Sequence, residues 1–144
     1  MADSVQFSFE LTGSLDSAVT PLLRTRLASI QRQIANQARA DVPVLTGNLG
    51  RTIRERSITQ PAPLIVEGGV DAGGRDAPYA PFVHQGTRPH VIMPRNARAL
   101  RFEVGGRTVF ARRVNHPGTR ARPFLKNAAD RVIAREVAPF TGRR

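Results

Sequence analysis

Three histidines, His84, His90 and His116, are the residues of this chain best suited to bind a metal or move a proton. Zinc can be held by three imidazoles with water in the fourth position. The spacing speaks against such a site: no two histidines stand four apart, as one helix face would need, and all three fall near Gly or Pro in predicted loops. The sequence has no cysteine, which removes disulfides, thiolate nucleophiles and thiolate metal sites. No Ser stands in a Gly-x-Ser-x-Gly setting. Asp71 and Asp76 flank a Gly-rich loop, a thin basis for acid–base work. Gly73-Gly74 and Gly105-Gly106 lack the Gly-x-x-x-x-Gly-Lys pattern of a phosphate loop. The segment from Gly118 to Pro123 precedes a helix, so it either brings Arg120 and Arg122 to an anion or is a plain exposed loop. The expectation is no catalytic residue, no metal and no cofactor.

One repetition calls for explanation. His84-Gln85-Gly86-Thr87-Arg88 is echoed thirty-two positions later by His116-Pro117-Gly118-Thr119-Arg120. The flanks differ: the first copy follows Tyr79-Ala80-Pro81-Phe82-Val83, the second precedes a helix. A duplicated domain is therefore not the reading. Gly supplies a turn conformation closed to other residues, and Thr bonds local backbone. Two structural turns, each presenting an Arg, account for the echo.

The elements that must position these residues follow from hydrophobic period and turn chemistry. Length predicts one domain spanning residues 1–144. Residues 1–14, with Val5, Phe7 and Phe9 alternating, form a short strand or an arm. Thr20-Pro21 reads as N-cap and first residue of a long helix, with a start near Asp16 and a kink at Pro21 as the alternative. Leu23, Leu27, Ile30, Ile34 and Ala38 give it one apolar stripe, and it stops before Pro43. Pro43 to Leu49 is a turn. Arg51 to Thr59 and Leu64 to Val70 are strands around the link Pro61-Ala62-Pro63. Asp71 to Pro78 is a loop, and Tyr79 to His84 fits one helical turn. Residues 98–114 are a hairpin about Gly105-Gly106, with Val104 opposite Arg107, Phe102 opposite Val109 and Leu100 opposite Ala111. That register sets Arg98 against Arg113, a like-charge rung that invites an anionic partner or splaying. Pro123 opens a second helix whose stripe is Leu125, Ala128, Ala129, Val132, Ile133 and Val137, ending near Pro139. Residues 141–144 are a basic tail. The predicted fold is α+β: a small antiparallel β-sheet packed with one long N-terminal helix and a C-terminal helix, plus a projecting β-hairpin.

Charge is unevenly placed. Of 22 basic and 11 acidic residues, residues 1–80 hold eight of each, and residues 81–144 hold fourteen basic and three acidic. The whole excess of +11 lies in the C-terminal part. It implies a surface that meets a polyanion or an acidic neighbour. No apolar run approaches the ~20 residues that span a bilayer, and the first residues lack the pattern of a signal peptide. We expect a protein made in the cytoplasm, with no membrane partner.

Taken in order, Pro43-Val44-Leu45-Thr46-Gly47-Asn48-Leu49, then Tyr79-Ala80-Pro81-Phe82-Val83-His84-Gln85-Gly86-Thr87-Arg88, then His116-Pro117-Gly118-Thr119-Arg120-Ala121-Arg122-Pro123-Phe124-Leu125, resemble the tail-completion or head–tail joining proteins of long-tailed bacteriophages. The resemblance covers about residues 20 to 135. It implies a non-catalytic α+β subunit of the virion neck, made in the host cytoplasm. Such subunits form a homo-oligomeric ring, expected to be a hexamer, at the head-proximal end of the tail. DNA passes through the lumen. The implied partners are other neck and tail proteins: a head-closure protein, a tail terminator or the tail tube. Gly86, Thr87, Arg88, Gly118, Thr119, Arg120 and Pro123 would be interface residues. The hairpin register gathers Arg98, Arg101, Arg112 and Arg113 near one end, and these are the candidates to face DNA or an acidic partner. The family commonly carries an acidic residue where His84 stands and a basic or polar one where Gly50 stands, so any contact made there differs in this chain. Two other readings stand beside it: a nonspecific nucleic-acid-binding module using the basic half, and a small metal-dependent nuclease.

Overall fold

The computed structural model describes residues 4–12, 19–43, 47–63 and 65–141. Its centre is a strand, β4 (Ile65–Gly73). On one edge β4 pairs antiparallel along its whole length with β1 (Ser4–Thr12). The other edge is shared by two short strands, β2 (Arg54–Glu55) and β3 (Thr59–Ala62). Alternation along β4 decides which face is covered: Val66, Gly68, Val70 and Ala72 are buried, while Glu67 is exposed. Val5, Phe7 and Phe9 of β1 register with Ala72, Val70 and Gly68, and Val5 is buried.

A long helix covers that face, and a second helix packs on the first. Helix α1 (Thr20–Asp41) buries Leu27, Ile30, Gln31, Ile34, Ala35 and Ala38, the predicted stripe with Leu23 only half-buried. Helix α4 (Phe124–Thr141) buries Phe124, Leu125, Ala128, Ala129 and Val132. Many buried positions are alanine, so α1 lies close to β4 and to α4 with little side-chain volume between them. Across the α1–α4 seam, Arg131 meets both carboxylate oxygens of Asp41 at 3.1 Å, and Arg26 and Gln33 both reach Glu136. These pairs are partly solvated and contribute little each.

The one buried polar side chain of α1 is structural. Gln31 Nε2 donates to the carbonyl oxygens of Arg56 and Gly69, both at 2.8 Å. It thereby closes the edge where β2 is too short to satisfy the backbone alone. A β-carbon on Gly68 would sit 2.8 Å from that nitrogen, so glycine makes the room.

Several boundaries differ from the sequence reading. The N-cap of α1 is Val19, with Thr20 already helical and no side-chain cap. Residues 1–14 contain a strand, β1. Asn48 to Thr52 form a short helix, α2, entered through Gly47 at φ +73°; the predicted turn and strand each lose residues to it. Pro61 and Ala62 belong to β3 at the sheet edge, where a missing N–H costs nothing. The strand β4 continues through Asp71 to Gly73. Helix α4 runs past Pro139 to Thr141; in the last turn a proline removes only one hydrogen bond. Thr141 is therefore helical, not tail. Val44, Leu45, Thr46, Leu64, residues 142–144 and a helix start near Asp16 lie outside the described residues.

The remaining elements form an arm. Helix α3 (Ala80–Gln85) leads into β5 (His90–Ile92), then the hairpin β6 (Leu100–Val104) and β7 (Arg107–Ala111), then β8 (Val114–His116), which returns beside β5. The hairpin has the predicted rungs. No residue from Pro81 to Pro123 is buried.

Candidate interface

The two His-x-Gly-Thr-Arg copies are each other's partners. Thr87 N–H donates to the Thr119 carbonyl at 3.0 Å, and Thr119 N–H returns the bond to the Thr87 carbonyl at 3.1 Å. Their hydroxyls lie 3.0 Å apart. Gly86 and Gly118 turn the chain into this crossing at φ +75° and +87°. A β-carbon on Gly86 would fall 2.6 Å from the Thr119 oxygen. The echo in sequence is thus one local solution used on both sides of one antiparallel contact. Gly86, Thr87, Arg88, Gly118, Thr119 and Arg120 come together here. Pro123 joins them through its neighbours: Arg122 N–H donates to the Val83 carbonyl at 2.9 Å, which fixes the approach to α4.

Thr87–Thr119 and His90–His116 belong to one register. Between them Pro89 stands opposite Pro117, and neither has an N–H to donate, so the ladder is interrupted there. His90 and His116 face each other with ring centroids 5.0 Å apart. His90 Nδ1 lies 2.9 Å from the Arg88 carbonyl and donates to it, whereas His116 Nδ1 accepts from Gly118 N–H at 3.0 Å. The proton of neutral His116 is then on Nε2. Metal bound at that nitrogen would break the turn's hydrogen bond. Among the described residues no three His, Asp or Glu side chains converge on a metal-sized space. The third histidine, His84, is distant in role: its ring meets Phe124 edge-on at 5.3 Å. Its Nδ1 is buried without a partner among the described residues, and burial lowers its pKa.

The arginines of the arm do not form one cluster by pairing. The hairpin ladder ends at Leu100 and Ala111, so the expected Arg98–Arg113 rung is not made. Residues 93–99 span the gap on one side, and Arg112 and Arg113 alone span it on the other, which lets the strands part. Arg98, Arg101, Arg112 and Arg113 are all exposed. Arg101 lies across from Phe110, whose side chain is 67% exposed.

Beside the crossed corners runs an open, largely apolar groove of about 990 Å³. Tyr79, Phe82 and Val83 of the α3 segment line it, with Pro43 and Pro89, and Arg88, Arg120 and Arg122 join them. The sequence reading took Tyr79 to His84 as a short apolar segment of one helical turn and so passed over Phe82, which is 57% exposed. The signal was an aromatic in a segment too short to have an inner and an outer face.

No protein-family model, curated protein or solved structure matches this chain. No helix among the described residues is long and apolar enough to cross a membrane.

Proposed function

We propose that this protein is a non-enzymatic structural subunit of a bacteriophage neck, assembling as a homo-oligomeric ring that completes the tail, joins it to the head and lets DNA pass. The observation that carries the reading is the arm. From Arg88 to Arg122 no residue is buried, yet Val91, Met93, Val104, Val109 and Phe110 present apolar surface to solvent. A segment of this kind repays its ordering only when something covers it. The resemblance of the ordered motifs to tail-completion and head–tail joining proteins supplies the identity of the assembly. The corners at Gly86–Arg88 and Gly118–Arg120 are then interface elements held at fixed geometry.

Light scattering and negative-stain imaging test this, on the chain alone and co-expressed with tail proteins from its own gene cluster. Rings in either sample are expected. A chain that stays monomeric in both, and binds duplex DNA with strong salt dependence, would replace this reading with a nucleic-acid-binding module. The exposed arginines of the arm, none in an ion pair with a described residue, favour that second reading.

A further inference from the structure

We infer that the groove beside the crossed corners is a docking site for an acidic segment of a different protein, one that inserts an apolar side chain against Phe82 and Val83. The inference uses the corners as an interface but does not require that the assembly be a neck.

Charge is the first argument. Arg88, Arg120 and Arg122 line the groove, no described Asp or Glu does, and none of the three makes an ion pair with a described residue. Three guanidinium groups on a concave surface without counter-charge call for carboxylates from outside, since a planar fork matches a carboxylate in two parallel hydrogen bonds. The apolar lining is the second argument. Tyr79 and Phe82 are exposed on a concave surface, the setting in which one inserted side chain gives most of a binding energy. A duplex phosphodiester backbone would meet the arginines but leave Tyr79 and Phe82 uncovered.

A second copy of this chain is the wrong occupant on the same grounds. Its exposed apolar side chains come with like charge: Leu22 precedes Arg24, Met93 precedes Arg95, and Phe110 stands opposite Arg101. Only Val104 has a carboxylate beside it on the arm, Glu103, and Arg101 and Arg107 flank that pair. Of the described acidic residues outside the arm, Asp41, Asp71, Asp130 and Glu136 are held in ion pairs, and the exposed Glu55, Glu67 and Asp76 have no exposed large apolar side chain within two residues of them in sequence.

A display library of random peptides about twelve residues long, panned on the full chain, tests the inference. Enrichment of sequences with an aromatic or aliphatic residue next to two or more carboxylates is expected. Synthetic peptide of the enriched sequence should lose roughly tenfold or more in affinity to Phe82→Ala, and about as much to the pair Arg120→Gln and Arg122→Gln. Phe110→Ala, on the arm, should leave it unchanged. All these side chains are exposed, so the melting temperatures of the variants should match the parent. No enrichment, enrichment without acidic residues, or binding indifferent to Phe82 would overturn the inference. So would a single-stranded oligothymidylate that binds more tightly through the same residues, or groove variants that alter the chain's own solution mass. Rings without any enriched peptide would sink this inference and leave the neck reading standing.

Discussion

A β-carbon on Gly118 would lie 2.3 Å from the carbonyl oxygen of Thr87. That oxygen also accepts from Thr119 N–H, so it cannot retreat without breaking the crossing. Gly118→Ala combines this clash with a left-handed backbone, for which a side chain alone costs roughly 1–2 kcal/mol. A loss of at least about 2 kcal/mol at the crossing is expected, which is about thirtyfold faster amide exchange at Thr87 and Thr119. Gly105→Asn, in the open hairpin turn, should change little, because nothing lies within reach of its β-carbon and Asn tolerates that turn. Equal effects of the two substitutions would show that the crossing is not under steric control.

Phe124 sits where α4 begins and is 2% exposed. Phe124→Ala should lower stability by roughly 3–5 kcal/mol. Denaturant unfolding measures this, and an unchanged midpoint would remove Phe124 from the core.

His84 makes stability depend on pH. Its folded-state pKa is lowered by burial from the ordinary 6.5, so the unfolded chain binds a proton more readily than the folded one. Its contribution is complete above about pH 6.5. It is lost progressively as pH falls through that value towards the lower folded pKa. The melting temperature should therefore drop on acidification from about pH 7.5 to about pH 5, and His84→Leu should flatten the drop. A variant with the parent's slope would assign the sensitivity to other groups.

Changing Arg98, Arg101, Arg112 and Arg113 together to Gln separates the two roles open to the arm. All four are exposed, so the monomer's melt should hold. We expect ring or neck assembly to fail, because complementary charge between proteins guides their docking, and a strongly cationic lumen would hold DNA back. Normal assembly with weaker, less salt-sensitive DNA binding would instead place these arginines on a DNA channel.

Much of the architecture could be read from local patterns. The stripe from Leu27 to Ala38, the stripe from Leu125 to Val132 and the Gly105-Gly106 turn each draw on contacts within one element or between adjacent ones. The paired corners could not be read that way. Thr87 and Thr119 are joined across the whole arm, and only their shared tripeptide hinted at a shared environment. Gln31 was likewise hidden, a polar side chain on an apolar stripe whose acceptors, Arg56 and Gly69, lie in segments far along the chain. The groove escaped because its lining is assembled from Pro43, α3 and both corners, which no single window of sequence contains.

Because Thr87 and Thr119 are tied together at the base, everything between them is a closed loop as far as the core is concerned. Lengthening such a loop is cheap, with each doubling costing only about 0.6 kcal/mol of closure entropy. No residue between the two threonines is buried, so, apart from Gly118 at the crossing itself, core packing does not restrain its composition either. Descent with modification can therefore rewrite the arm as a cassette, changing its reach to suit a new neighbour, while the helices and sheet beneath it evolve at their own pace.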